Sequence, residues 1–472
     1  MQRDCDVAII GAGSAGLAAA AAMTGRGLDI CLLDENHHVG GQLLRKPTAA
    51  ASRGLGFEMD GARRRGFRLI DRLAHRGVGI HRGVQVLGLF PENRILVQSA
   101  NGRVFEMAAR CVVCATGARE RFIPFPGLTL PGVISTGAAQ VLLKSSGMVP
   151  AGATLIGGSG PLPFLLARQL LSKGGKVAAL LNHATFTEML RFSAMLPRHP
   201  AKLVDGVRSM AALLTAGVPV YSGCRIVEAR GRDRLESVTV ARRDHHGGVL
   251  AGTERSFRVD CLAVGFGFTP NIELLLQAGC TAVHMVDHGG WVIQTDARLE
   301  TSVSGLFAAG EVTGIAGGAK SLVEGRLCGL SVLEHLGAAD MSVELERQRL
   351  HRRRREEVAF GAAMNRLCYL PRDWATTIPD DTIICRCEKV RLGYLRRRIA
   401  EGFRSFGALK KATRSGMGRC QGRICSSLVA DISAIQGPSG VGTERPASTR
   451  APVKMVPLGA LAAMQKEVPR GT

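Results

Sequence analysis

Long apolar runs are missing from this 472-residue chain. None reaches the ~18 uninterrupted apolar residues that a bilayer span requires, so the sequence predicts no transmembrane segment. The apolar N-terminus is cut into short pieces by glycines and by Asp34, which argues against a secretory signal and for a soluble, cytoplasmic protein. Aromatic residues are scarce, at 4%, while 59 glycines imply many tight turns. Acidic residues are outnumbered 39 to 61, which leaves a net charge of +22. Such an excess can mark a nucleic-acid binder, but here it is dispersed and no nucleic-acid motif accompanies it. The densest runs, Arg63-Arg64-Arg65 and Arg352-Arg353-Arg354-Arg355, read as solvated helix faces that could meet an acidic partner protein. A disulfide framework is absent as well: the thirteen cysteines are odd in number, and most stand singly in apolar runs.

What is present begins at the N-terminus. Residues 6–10 form a β-branched apolar run, and Gly11, Gly13 and Gly16 follow in G-x-G-x-x-G spacing with Ala15 among them. An alanine-rich helix over 17–23 and a second strand over 28–33 come next, and that strand ends on Asp34. The glycines allow a sharp turn and close approach to a pyrophosphate, the helix N-terminus offers free N–H groups, and the acid can accept ribose hydroxyls. Gly40-Gly41-Gln42 follows the first unit. A buried strand then carries Cys111 and Cys114 into Ala115-Thr116-Gly117. Residues three apart on a strand face opposite sides, so this C-x-x-C reads as core packing rather than as a redox pair. Further on, Gly305 to Gly310-Glu311 forms another strand ending in a glycine–acid pair, followed by a helix that starts near Gly317. Together these motifs resemble the two-dinucleotide-binding-domain flavoproteins, the superfamily of thioredoxin reductase and lipoamide dehydrogenase. The resemblance implies FAD, held by Gly11, Gly13, Ala15, Gly16, Asp34, Gly41, Gln42, Thr116, Gly117, Gly310 and Glu311. The redox cysteine pairs of those reductases are absent from their usual places, which argues against disulfide reduction.

A second strand–turn–helix–strand unit runs from Ala153 to Leu181 and predicts a second Rossmann-like domain. Gly158 and Gly160 fill the first two glycine positions, but Pro163 stands at the third, and the second strand ends in Leu181-Asn182-His183. No acid awaits an NAD ribose there, and no arginine cluster awaits an NADP phosphate. This site holds either a different nucleotide or none.

Near the C-terminus, Cys385-Arg-Cys387 and Cys420-x-x-x-x-Cys425 give C-x-C…C-x-x-x-x-C. Four thiolates on glycine-rich loops suit a 2Fe-2S cluster, with zinc as the structural alternative. The stretch resembles the bacterioferritin-associated ferredoxin domain, including its Thr-Arg-Ser-Gly-Met-Gly-Arg-Cys-Gln-Gly-Arg run.

The predicted fold class is α/β: two Rossmann-like dinucleotide-binding domains of the FAD/NAD(P)-linked reductase type, followed by a small helical 2Fe-2S domain. The expected divisions are 1–120 with 265–340 for FAD, 121–264 for the inserted nucleotide-binding-like domain, 341–375 for a helical linker, 376–435 for the ferredoxin-like domain and 436–472 for a tail. This layout resembles the A (α) subunits of bacterial multi-subunit amino-acid and opine dehydrogenases, of the opine oxidase, hydrogen cyanide synthase and D-hydroxyproline dehydrogenase type. The resemblance implies an electron-transfer subunit that receives electrons from a glycine-oxidase-like flavoprotein subunit. It leaves room for membrane contact through partners and for a small ferredoxin-like subunit. No acid–base constellation is present, so no catalytic residue is assigned. A stand-alone NAD(P)H-dependent FAD/iron–sulfur reductase is the competing reading, and an iron-handling protein is a third.

Overall fold

Residues 5–34 fold as their pattern dictates. The computed structural model describes residues 5–45, 61–244, 247–339, 342–368, 372–436 and 446–464. The His245-His246 pair, the side chains of Arg63-Arg64-Arg65 and parts of the tail lie outside the described residues. Strand β1 (Cys5–Ile10), helix α1 (Ser14–Met23) and strand β2 (Ile30–Asp34) form a parallel unit with Val7 opposite Ile30 and Ile10 opposite Leu33. Helix α2 (Gly61–His75) leads to β3 (Gly79–Arg82), which extends the sheet beside β2. An antiparallel meander of β4 (Gln85–Phe90), β5 (Arg94–Gln98) and β6 (Val104–Cys114) follows.

β6 is shared along its length between an antiparallel and a parallel neighbour. Residues 104–108 pair with β5, and residues 109–114 pair with β1. Cys111 packs in the cluster that holds Ile9, Leu17 and Phe307, whereas Cys114 packs with Ala8, Leu33 and Leu275. The two thiols therefore lie on opposite faces of the sheet, as their spacing requires.

β7 (Ala118–Glu120) carries the chain out of the first sheet. The second sheet is built from β8 (Val133–Ser135), α3 (Thr136–Ser146), β9 (Ala153–Gly158), α4 (Pro161–Leu171), β10 (Lys176–Asn182), α5 (Phe186–Ser193), α6 (Pro200–Thr215) and β11 (Val220–Ser222). The interruption near Pro200 is a single 3-10 turn at Leu196–Arg198, after which the proline sits in the first turn of α6, where its missing N–H leaves no bond unmade. A meander of β12 (Cys224–Arg230), β13 (Ser237–Arg242) and β14 (Arg255–Arg258) precedes β15 (Cys261–Gly265). The parallel strand order is β11-β10-β9-β15-β8.

β16 (Phe268–Pro270) returns antiparallel to β7. After α7 (Glu273–Gln277), β17 (Ala282–Met285) and β18 (Gly290–Ile293), strand β19 (Leu306–Ala308) re-enters the first sheet beside β6. Helix α8 (Gly318–His335) then packs against α1, with Gly325 so close that a Cβ there would lie 2.1 Å from the Ala15 carbonyl oxygen. The charged stretch that follows forms one helix, α9 (Ser342–Cys368). Among the described residues no helix is long and apolar enough to cross a membrane.

The four-cysteine region comprises β20 (Ile383–Cys385), β21 (Val390–Arg391), α10 (Leu392–Ala400), α11 (Phe406–Thr413) and α12 (Ser426–Gln436). It has no separate core. Trp374, Ile384, Leu392, Leu409 and Ile432 share one apolar cluster with Phe125, Leu155, Val238 and Leu262 of the second sheet and its meander. The described part of the tail is also packed. Val453 is buried and donates its N–H to the Leu87 carbonyl at 2.7 Å, and α13 (Leu458–Met464) lays Leu461 and Met464 on Leu87, Leu96 and Val104.

A buried ionic group locks the turn between β19 and α8. Lys320 and Glu324 are 1% and 0% exposed and pair at 2.8 Å; Arg354 of α9 donates Nε to the other Glu324 oxygen at 2.8 Å. Lys320 also donates to the carbonyls of Gly310 at 2.6 Å and Gly314 at 2.9 Å, and the Gly310 N–H donates to Glu324 at 2.9 Å. Burial pushes the Glu324 carboxyl up, but Lys320 and Arg354 outweigh it and hold the pKa below the usual value. Arg354 is therefore a structural cation, unlike the solvated residue its run suggests. Glu324→Ala strands the Lys320 ammonium in the interior and should cost about 3–5 kcal/mol, measured as a loss of denaturant stability. Lys320→Met, which leaves Glu324 paired with Arg354, should cost less; equal small effects in both variants would refute an anchoring role.

Candidate cofactor-binding sites

The first glycine loop lies where three strands end. Gly11 has φ +104°, and a Cβ there would come within 2.4 Å of the Ala115 carbonyl oxygen. This brings the β1 turn against the end of β6, with the Ala115 N–H donating to Ile10 at 2.8 Å. Gly13 and Gly41 face each other directly: a Cβ on Gly41 would lie 3.0 Å from the Gly13 Cα, and the neighbouring Gly40 N–H donates to Ala12 at 2.7 Å. Gly16 backs onto the Gly11 carbonyl, and Ala15 is buried against Gly310 and Gly325. The two sequence motifs thus form one backbone cradle that side chains would fill.

Asp34 closes that cradle from the end of β2. It is 6% exposed; Oδ2 accepts the Ala12 N–H at 2.7 Å, and Oδ1 accepts the Asn36 N–H at 2.8 Å and its Nδ2 at 2.9 Å. The carboxylate fixes the glycine loop, and its three N–H donors leave about one of its four lone-pair sites unused. Gln42 behaves differently. It is exposed, and its side-chain oxygen accepts from Arg45 at 3.2 Å.

Thr116 and Gly117 lie on the outgoing passage between the sheets and are laced to the returning one. Thr116 Oγ1 donates to the Asn271 carbonyl at 2.7 Å, Asn271 Nδ2 donates to the Thr116 carbonyl at 3.0 Å, and the Asn271 N–H donates to Gly117 at 3.0 Å. Gly310 and Glu311 occupy the turn locked by Lys320 and Glu324. Glu311 accepts the Gly317 N–H at 2.8 Å and the Ser321 hydroxyl at 3.2 Å, so it caps α8. Burial raises its pKa, partly countered by Lys320. A Cβ on Gly117 or on Gly317 would meet nothing within 4 Å. The backbone therefore fits a dinucleotide: a pinched glycine cradle at one end, and open space beside the crossing turn and the α8 N-terminus at the other.

The second glycine loop is crowded. Gly160 heads α4 at φ +79°, and a Cβ there would lie 2.8 Å from the Cys368 sulfur, which also borders Gly267. A Cβ on Gly158 would clash with the Gly265 carbonyl at 1.8 Å. The end of α9 thus abuts the loop at the place where a phosphate would sit. At the ends of β9 and β10, the buried atoms Ser159 Oγ, Asn182 Nδ2 and His183 Nε2 have no hydrogen-bond partner among the described residues. Burial first, then Arg243 and Arg225, lower the His183 pKa to about 4, so the ring is neutral at pH 7. It borders a cavity of about 20 Å³ with Arg225, Phe266 and Trp374, room for a single water.

The four C-terminal cysteines converge in two pairs. Cys385 is hydrogen-bonded to Cys425, both 1% exposed, and Cys387 is hydrogen-bonded to Cys420 nearer the surface. The Cys425 thiol, then the backbone N–H groups of Gly416, Glu388 and Cys387, pull Cys385 down to about 5. Gly418 lies so near Cys387 that a Cβ there would come within 2.3 Å of that residue's Cβ. Two thiol pairs with N–H donors aimed at sulfur fit a binuclear cluster better than tetrahedral zinc. Arg423 directs its guanidinium to the carbonyls of Cys420, at 3.5 Å, and Val453.

One contact joins the two sites, and the motifs gave no sign of it. Arg119 of β7 donates Nε to the Arg423 carbonyl at 2.7 Å and Nη1 to Asn271 Oδ1 at 2.8 Å, and it pairs with Glu273 at 2.7 Å. Arg121 pairs with Asp431 of α12 at 2.9 Å. The only signal in the sequence is Arg119 and Arg121, two and four residues after the Ala-Thr-Gly element.

Residues 5–329 match the pyridine nucleotide-disulphide oxidoreductase family, and residues 383–434 match the BFD-like 2Fe-2S binding domain. The chain is 34% identical over 461 residues to the HcnB subunit of hydrogen cyanide synthase from Pseudomonas aeruginosa, covering 96% of this chain and 97% of the relative. It is 31% identical to the A-subunit of opine oxidase from Agrobacterium tumefaciens, covering 97% and 91%. In fold it resembles L-proline dehydrogenase from P. horikoshii, with a TM-score of 0.70 at 21% identity over 98% of this chain and 80% of that one. With matches that run almost end to end, the chain belongs to the pyridine nucleotide-disulphide oxidoreductase family, in the group of dehydrogenase and oxidase subunits that includes HcnB and the opine oxidase A-subunit.

Proposed function

We propose that this chain is the FAD- and 2Fe-2S-containing electron-transfer subunit of a multi-subunit amino-acid or imino-acid dehydrogenase of the opine, hydroxyproline or glycine type. Its partner is a glycine-oxidase-like flavoprotein subunit that oxidises the C–N bond, and an external acceptor takes the electrons. The complex works in the cytoplasm. FAD accepts electrons in pairs and a 2Fe-2S centre carries them singly, so a chain with both suits conversion of a two-electron oxidation into one-electron delivery.

The observation that carries this reading is Arg119, which binds the crossing turn and the cysteine loop at once. In this assignment Gly11, Gly13, Gly16 and Gly41 admit the pyrophosphate, with Ala15 packed behind them. Asp34 holds the ribose, and Thr116, Gly117, Gly310 and Glu311 border the flavin end. Gln42 belongs to the rim. Cys385, Cys387, Cys420 and Cys425 hold the iron. Each residue orients or encloses its group, and none acts as acid or base.

The competing NAD(P)H reductase needs a working second loop. Cys368 against Gly160 and the lack of an acid after β10 both speak against it. Gly158 and Gly160 then shape the fold or hold a different nucleotide.

Anaerobic addition of NADH or NADPH should leave the flavin absorbance unchanged, whereas the co-expressed complex should reduce dye in the presence of an amino-acid or imino-acid substrate. Rapid bleaching by NAD(P)H, or substrate oxidation by the isolated chain, would overturn the assignment. Cys385→Ser should abolish the reduced-state EPR signal while leaving the yellow chromophore. Arg119→Ala should slow electron arrival at the cluster by about tenfold, equivalent to ~1.4 kcal/mol in the barrier. FAD content and EPR line shape should stay unchanged; an unaltered rate would refute the bridging role.

A further inference from the structure

The outer face of the second sheet carries two helices that are scarcely buried. α5 has no buried residue, and α6, 16 residues long, buries only Ser209 and Leu213. The side chains left in solvent are large and apolar. On α6 they are Leu203 (37% exposed), Val207 (60%), Met210 (37%) and Leu214 (71%), and on α5 they are Phe186 (72%) and Leu190 (61%). The α6 positions recur at spacings of four, three and four, so they fall on one stripe of the helix. Ser209 and Leu213 define a different, inward stripe. A protein that works alone rarely exposes a continuous apolar stripe of this kind.

Charge selects the occupant. Arg191, Arg198 and Arg208 are exposed around the stripe, and none has a carboxylate partner among the described residues. The acids on the two helices are already engaged, Glu188 by Arg243 at 2.6 Å and Asp205 by Arg168 at 3.5 Å. A second copy of this chain would bring a charge of +22 and the same arginine rim against itself, which like-charge repulsion opposes. We infer that the α5–α6 face is the docking surface for the partner flavoprotein subunit, which meets it with an apolar ridge flanked by carboxylates. The inference rests on the proposed function, because it takes its partner from there.

The material to test is the complex purified through a tag on this chain and defined by substrate-dependent dye reduction. A photo-crosslinking residue at Val207 should label the flavoprotein subunit, and the same residue at Leu250, an exposed apolar site on the β13–β14 loop, should not. Val207→Glu with Leu214→Glu should weaken association about 100-fold, the effect of losing the centre of an interface, with FAD and iron content unchanged. Arg191→Glu with Arg208→Glu should weaken it as well and flatten its salt dependence. Crosslinks to a second copy, or a complex that survives both double variants, would overturn the surface while leaving the partner in place. Failure of the unaltered chain to assemble with any flavoprotein subunit would overturn the proposed function itself, and this surface's occupant with it.

Discussion

The point where the chain leaves the first sheet and returns to it is the constraint on which the rest of the structure depends. Outgoing Thr116-Gly117 and returning Asn271 exchange three hydrogen bonds, and β7 pairs with β16 just beyond. A two-sheet protein joined by two single passages would ordinarily be free to swing about them. Here Arg119 extends the joint to a third body by taking the Asn271 side chain and the Arg423 carbonyl together. Hydrogen bonds from a cation in a half-buried setting are among the stronger ones. The distance between the crossing turn and the cysteine loops is therefore set by short, directional bonds rather than by linker length.

The same economy governs the turn before α8. Glu324 has no exposure and accepts from Lys320, Arg354 and the Gly310 N–H. Without its partners the carboxylate would pay heavily for desolvation. With them it becomes the node through which α9, a helix from beyond the family's nucleotide-binding portion, holds the Gly310-Glu311 turn. Helix α9 then runs on to Asn365, which donates to the carbonyls of Asp287 and Ile315, and to Cys368 at the second glycine loop. One helix thus steadies the first nucleotide site and crowds the second.

Much of this could be read in the sequence, for a definite reason. Glycine spacing, strand-terminal acids and cysteine spacing are local: each records what the backbone must do within a few residues. Gly11, Gly13, Gly41, Asp34 and the four cysteines lie where such rules place them, and the alternation that put Cys111 and Cys114 on opposite faces needed only the strand period. What could not be read depends on distant pairing. Nothing near Lys320 shows that Arg354 will reach its neighbour Glu324, and a run of four arginines reads as solvent-facing unless the helix it packs against is known. Cys368 is one more apolar-flanked thiol until the fold sets it beside Gly160. Arg423 follows the same pattern: nothing in its cysteine loop shows that its guanidinium will bind the Val453 carbonyl and so anchor the tail.

The irregular second unit then acquires a physical reason to exist, whatever it binds. Its sheet and meander contribute Phe125, Leu155, Val238 and Leu262 to the same apolar cluster as Ile384, Leu392, Leu409 and Ile432 around the cysteines. A region of about sixty residues buries too little apolar surface to be more than marginally stable alone, and this one has two short strands and three short helices. Packed on the second sheet, it gains the missing contacts, and Cys385 and Cys425 gain the dry surroundings in which N–H donors act strongly on sulfur. Pro163 at the third glycine position and the absence of an acid after β10 leave β9, β10 and β15 paired in parallel all the same. The strands and the face turned to the cluster, not the glycine loop, are what the cysteine region needs from this unit.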